Sequence, residues 1–265
     1  MPEGHTLHRL ARQQQKLFGG HTIGVSSPQG RFEAGAQALD GRLLIRAEAY
    51  GKHLLQHYDQ APTLHIHLGL FGKFTTGTGE PPEPRGALRL RMVADSGWTD
   101  LRGPTACELM DPPAIDALLG RLGPDPIRTD SDPDLAYRRI SRSRVSIAAL
   151  LMDQSVLAGV GNVYRAEILF RHRVNPYRPG TSIEAELWQE MWADLVVLMR
   201  AGVRTGRIET VRAQDRPRAR GRLARSEAGY VYRRTGLPCR ICGTPVATAE
   251  LVGRNLFWCP NCQAD

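Results

Sequence analysis

Leu7, Leu10, Ala11 and Phe18 recur at close to helical spacing behind a Pro-Glu start, and Gly19 and Gly20 stop the pattern, which predicts a first helix. The period then drops to two. In "TLHIHLG", Leu64, Ile66 and Leu68 alternate with His65 and His67, and in "ALRLRMV", Leu88, Leu90 and Met92 alternate with Arg89 and Arg91. Each stretch predicts a half-buried strand. With "HTIGVSS", "RLLIRAEAY", "HLLQHY" and "GWTDLR" around them, residues 20 to about 110 read as an antiparallel sandwich or barrel. Helical spacing returns in "PPAIDALLGRL", and "GPDPIRTDSDPD" has the composition of a hinge. Beyond it, helices are expected near 146–154, 163–172 and 182–201, the last with the packed face of "LWQEMWADLVVLMR". The chain carries no internal repeat.

A chain of 265 residues with 42% hydrophobic content forms a real core, which excludes disorder throughout. It has no run of about 18 apolar residues, nor a basic-then-apolar signal pattern at the N-terminus. A cytosolic protein, not a membrane protein, is expected.

The formal charge of +8 suggests a polyanionic partner. Part of it is concentrated in "RAQDRPRARGRLAR", where Arg212, Arg216, Arg218, Arg220, Arg222 and Arg225 meet a single acid, Asp215. Without a ligand, such a stretch reads as a solvated loop. Arginine has taken nearly every basic position, leaving only Lys16, Lys52 and Lys73 as lysines. A surviving lysine is of interest because an ammonium acts as a compact point charge and can lose its proton.

Cys239, Cys242, Cys259 and Cys262 form two C-x2-C pairs separated by sixteen residues. This spacing places four thiolates on one tetrahedral Zn2+ site, with an insert long enough for a hairpin. Four protein sulfurs leave the metal no open position, so its role is structural and catalysis must lie elsewhere. Cys107 has no spaced partner and reads as a small buried apolar residue. Arg254, in "GRNLFW", falls at the hairpin turn as a possible phosphate contact. His65 and His67 share one strand face, where solvation, a ligand surface and a metal are the alternatives.

"LLMDQSVLAGVGNVYRAEILF" reads as two helices joined by a tight turn. Asn162 stands at the N-cap position of the second, and Gly159 and Gly161 leave the preceding amides uncrowded for an anion such as phosphate. The N-terminal "PEG" has two readings. Pro and Glu suit a helix start, but removal of Met1 would also leave Pro2 as a secondary amine, which is a nucleophile.

Together, "PEG" at the start, "DQSVLAGVGNVYRAEILF" in the middle, and "VYRRTGLPCRICGTPV" with "GRNLFWCPNCQ" at the end resemble the formamidopyrimidine-DNA glycosylase and endonuclease VIII family of base-excision repair enzymes. The resemblance spans the whole chain in the family's order. It implies an α+β protein: an N-terminal antiparallel β-sandwich catalytic domain with a leading helix over 1–125, a helix-two-turn-helix domain over 131–230 and a zinc finger over 231–265. It implies a monomeric bifunctional DNA glycosylase/AP lyase acting on damaged DNA, with Pro2 as nucleophile at C1′ of an extruded nucleotide and Glu3 as general acid/base. Lys52 in "YGKHLL" matches the family's lysine that contacts the phosphate beside the lesion and assists catalysis. Asn162 and Arg254 match its phosphate-gripping positions, and Arg254 counts with Pro2, Glu3 and Lys52 in the catalytic set that the resemblance implies. Leu70 and Phe71 in "HLGLFGKF", and Arg102 in "TDLRGPT", match its void-filling loops.

Two departures qualify the match. His5 and Thr6 stand where members commonly carry a second carboxylate, and the second filling loop lacks the Arg-then-aromatic arrangement of the 8-oxoguanine enzymes. The second departure points toward oxidised pyrimidines, the first toward an altered division of protons. A non-catalytic, zinc-stabilised binder of damaged DNA is the alternative.

Overall fold

The computed structural model describes residues 2–218 and 221–264. Met1, whose removal matters to the Pro2 reading, and Arg220 of the arginine-rich run lie outside them. The chain divides into two compact units, Met1–Arg121 and Leu122–Asp265.

The first unit is α1 (Gly4–Phe18), β1 (Thr22–Ser26), α2 (Glu33–Leu39), β2 (Arg42–Tyr50), β3 (His53–Tyr58), β4 (Thr63–His67), β5 (Lys73–Gly77), β6 (Leu88–Ala94), β7 (Gly97–Arg102), β8 (Ala106–Met110) and α3 (Pro112–Gly120). All pairings are antiparallel, in the order β5-β7-β6-β1-β2-β3-β4-β8. β1 and β2 share only a short register, Thr22↔Leu43 and Ile23↔Arg42, so the sheet has two four-stranded halves joined there. Both halves serve one core: Ile23, Leu90, Met92 and Leu101 pack in the same cluster as Leu44, Leu54, Leu64 and Ile66. Apolar alternation in each strand thus becomes burial between two sheet faces.

Helix α1 closes this core with Leu7, Ala11 and Phe18, and packs on β2 and β3. Gln15 fixes its register by accepting the Ala47 N–H through Oε1 at 2.7 Å. Helix α2 and strands β5 and β8 are absent from the sequence reading. β5 and β8 are the two edges of the sheet, and α2 buries only Ala36 and Leu39. An element packed on one side carries a faint pattern.

The second unit contains α4 (Pro133–Ile140), α5 (Ile147–Leu150), α6 (Asn162–Arg171), α7 (Ala185–Thr205), β9 (Ala247–Leu251) and β10 (Arg254–Trp258). α4 begins inside the segment read as hinge, where Asp132 caps it by accepting the Asp134 N–H at 2.8 Å and Pro133 supplies its first turn. The helix expected over 146–154 is a single turn, α5. The chain then turns around Asp153, whose carbonyl accepts from Val156 at 3.0 Å and Leu157 at 2.9 Å, before α6 starts. The expected 182–201 helix begins at Ala185 and runs on to Thr205.

The C-terminal finger shares a core with α6: Ala166 and Phe170 pack with Val231, Val246, Phe257 and Cys259. At the heart of this arrangement lies Glu167, fully buried. Its carboxylate accepts the backbone N–H groups of Tyr230 (2.7 Å), Val231 (2.9 Å) and Tyr232 (2.8 Å). It also accepts the Thr210 hydroxyl. Glycine at 229 makes room for this carboxylate, since a Cβ there would come within 2.9 Å of Glu167 Oε1 and push it from its amides. Both ends of the segment 211–229 are thereby anchored to α6.

Candidate active site and nucleic-acid interface

In the first unit, Pro2 is half-buried and Glu3 fully buried, immediately before α1. Glu3 is the N-cap by position, and its carbonyl accepts the Thr6 N–H at 2.8 Å. His5 is also buried, and burial, reinforced by Arg9 and His8, lowers its pKa to about 4. The residue in place of a second carboxylate is therefore neutral at physiological pH.

Helix α1 lies on β2 and β3, the strands that bracket Lys52. Tyr50 pairs with His53, leaving Gly51 and Lys52 as a two-residue turn. Gly51 takes φ 56°, a conformation that right-twisted hairpins require and that glycine adopts without strain.

Leu70 and Phe71 lie between β4 and β5, 47% and 85% exposed. An 85% exposed phenylalanine belongs to no core, which removes the packing explanation for this pair. A side chain at Gly103 would meet the Phe71 carbonyl at 3.7 Å, so the turn after β7 adjoins this one.

Arg102, at the end of β7, is already engaged. It donates to Asp100 Oδ2 at 2.8 Å and to the Arg85 carbonyl at 3.1 Å. Asp100 is fully buried and also receives a two-pronged bond from Arg91, at 2.7 and 2.9 Å. Arg102 thus has structural partners within this unit.

In the second unit, the N-cap of α6 is Gly161, not Asn162, and no side chain caps the helix. Asn162 is the first helical residue and is buried. Its Nδ2–H donates to the Asn255 carbonyl at 2.9 Å, and Arg165 donates to its Oδ1. The buried Arg165 also donates to the Asn255 carbonyl at 3.2 Å. These bonds tie the start of α6 to β10, next to Arg254. Arg254 is exposed and opens β10 after the Val252–Gly253 turn.

The four cysteine Sγ atoms lie within 4.8 Å of one another. Cys239 and Cys262 approach to 3.9 Å and Cys242 and Cys259 to 3.5 Å. Zn–S bonds of about 2.3 Å in a tetrahedron put the sulfurs roughly 3.8 Å apart, so the set fits one zinc ion. Cys107, by contrast, is buried in β8, where burial pushes its thiol up to about 12. Burial thus disfavours the thiolate that a metal ligand or a nucleophile needs.

Several arginines of the 212–225 run, read as solvated, are tied down. Arg212 donates to the Arg171 carbonyl at 3.1 Å, and Arg216 pairs with Glu209 at 3.0 Å. Tyr230 adds a further tie, donating its hydroxyl to Asp215 at 2.6 Å and accepting from Arg212 N at 2.8 Å.

Sequence reasoning missed the environment of His65. His53, His65, His67 and Glu108 gather on one face of β3, β4 and β8. The signal available was the period of two, which puts 53, 65, 67 and 108 on one face once the strands are aligned.

The chain belongs to the formamidopyrimidine-DNA glycosylase family. Residues 1–107 match its N-terminal domain and residues 122–214 its H2TH domain. Residues 236–264 match the zinc finger found in FPG and IleRS. Among relatives, endonuclease 8 1 of Mycobacterium tuberculosis is 54% identical over 267 residues, covering 99% of this chain and all of that one. Formamidopyrimidine-DNA glycosylase of Herpetosiphon aurantiacus is 31% identical over 278 residues, covering 100% and 99%. In fold, the chain is similar to Lactococcus lactis Fpg solved in complex with abasic-site-containing DNA: TM-score 0.80, 21% identity, covering 99% of this chain and all of that one. Among the described residues no helix is long and apolar enough to cross a membrane.

Proposed function

We propose that this chain, a DNA glycosylase and AP lyase by family, excises oxidised pyrimidines through the amine of Pro2 and works in the cytoplasm on chromosomal DNA. The support for pyrimidines is the 54% identity to relatives named endonuclease 8, against 31% for those named formamidopyrimidine-DNA glycosylase.

The observation that carries the mechanism is Pro2–Glu3 at the start of a helix packed on the strands that bracket Lys52. Extrusion of the nucleotide gives access to C1′. The Pro2 nitrogen attacks there and the base leaves; the C1′–O4′ bond then opens as the nitrogen gives up its proton, so that an iminium links the enzyme to the ring-opened sugar. Glu3 exchanges protons with the sugar or the leaving base. The iminium acidifies C2′, so β- and then δ-elimination cut the strand. Lys52 holds the adjacent phosphate as a point charge. Asn162 and Arg254 grip the backbone, and Leu70 and Phe71 fill the emptied stack as apolar wedges.

Borohydride reduction during incubation with DNA containing a defined oxidised pyrimidine tests this. A covalent adduct is expected, and is lost in Pro2→Ala or when a tag precedes Pro2. Strand cleavage by wild type with no adduct would overturn the amine mechanism. A panel of lesions opposite each base tests the pyrimidine preference.

A further inference from the structure

We propose that Glu108, His65 and His53 form a proton relay between solvent and the reaction centre around Lys52. The proposal rests on the proline–iminium reading above.

The relay is built by strand register. His53 on β3 faces His67 on β4, and His65 on β4 faces Glu108 on β8. The diagonal contact joins the two pairs. His65 Nδ1 lies 2.9 Å from Glu108 Oε1, and His65 Nε2 lies 2.8 Å from His53 Nδ1. The rings of His53 and His65 stack at 25° with centroids 5.1 Å apart.

Chemistry fixes the direction of these bonds. An ionised carboxylate only accepts, so His65 donates from Nδ1 and is left with a lone pair on Nε2. That nitrogen accepts the Nδ1–H of His53, and the His53 Nε2 then carries a lone pair. In the relay each ring is held in one tautomer by these two bonds.

The charges around His53 favour this state. Burial, then His65, His67, Lys52 and Arg121, lower its pKa to about 3. Burial, His65 and Lys52 lower that of His67 as well. An imidazolium is therefore costly at this position, but a concerted transfer forms none.

A proton reaching His53 Nε2 makes an N–H bond there. The Nδ1–H bond of His53 breaks as its proton passes to His65 Nε2. The Nδ1–H bond of His65 breaks as its proton passes to Glu108 Oε1, and then to water. The reverse sequence brings a proton in. The proposed reaction needs the outward direction, because elimination takes a proton from C2′ after the iminium has formed. Once product leaves, the reverse sequence, ending with the His53 Nε2 proton passing to water, restores the starting tautomers.

The positions suit the task. The Glu108 side chain is 56% exposed and that of His65 5%. His53 is half-buried and follows Lys52 directly in the chain. His5, near Glu3 in sequence, brings no negative charge to share the proton traffic.

The test is single-turnover strand cleavage by the full chain with Met1 removed, in mixtures of H2O and D2O. Variants are Glu108→Gln, Glu108→Asp and His65→Gln. Wild type should show a bowed proton inventory. Glu108→Gln and His65→Gln should each cut the rate by at least about tenfold and straighten the inventory. Glu108→Asp should recover most of the rate. Borohydride adduct yield and DNA affinity should stay at wild-type levels in all three.

Wild-type rates in Glu108→Gln would overturn the relay. So would a slowed rate with the inventory still bowed, which marks a purely positional role. Since Glu108 is exposed, its variant tests the relay even if His65→Gln fails to fold. Absence of the adduct in wild type is a separate outcome and would sink the proline reading instead.

Discussion

Asn162 and Asn255 are joined by a 2.9 Å hydrogen bond from the side-chain amide of the first to the backbone carbonyl of the second. The bond makes one body of the start of α6 and the finger strand that begins at Arg254. Asn162→Ala removes it, and also removes one of the acceptors of the buried Arg165. Losing these two bonds should cost roughly 1–3 kcal/mol. Thermal denaturation should show the loss, and DNA affinity should fall with it.

Chelation should act beyond the finger. Cys259 and Phe257 share a core with Ala166 and Phe170 of α6. Structural zinc contributes about 10–16 kcal/mol in small fingers. Removing it with a strong chelator, or substituting Cys239→Ser, should therefore loosen α6 as well. Hydrogen exchange of α6 amides should rise, and DNA binding should disappear.

Phe71 separates a packing role from a functional one. At 85% exposure, Phe71→Ala should leave the unfolding free energy within about 0.5 kcal/mol of wild type. If the side chain fills the emptied stack, excision of a paired lesion should nevertheless slow by an order of magnitude or so. Cleavage of a preformed abasic site should suffer less.

The finger hairpin contains a mismatch between residue and backbone. Val252, 67% exposed, takes φ 52° beside Gly253 at φ 64°. A left-handed conformation costs a β-branched residue about 1–2 kcal/mol. Val252→Asn, with a residue suited to this turn, should stabilise the zinc-loaded protein by about 1 kcal/mol. Denaturant unfolding measures it.

Acid should reveal the cluster at the end of α6. Burial raises the Asp194 pKa, but bonds from His172 and Arg171 outweigh it and lower the value to about 2. The folded value is below the unfolded one, so the contribution is complete above about pH 4 and is lost as pH falls toward 2. Asp194→Asn should lose roughly 2 kcal/mol at pH 7 and should flatten the stability profile across that window.

The two-sided strands and the long helices were legible because their periodicity repeats several times. Edges were not: β5 and β8 make contacts on one flank only, and their few apolar positions establish no period. The zinc ligands were legible from spacing alone. Asn162 was legible as a residue of interest but misplaced by one position, since a cap preference does not reveal that a distant carbonyl will claim the side chain. The His53–His65–Glu108 chain was hidden for a related reason. Its members are separated by 12 and 43 residues and meet only through register.

Glu167 gathers three consecutive amides and the Thr210 hydroxyl, holding both roots of the 211–229 segment on α6. Exposed positions between those roots, such as Arg222 and Arg225, can change composition without disturbing the core to which Val211 and Leu223 contribute. Those positions are therefore free to diverge while the rest of the domain is inherited unaltered.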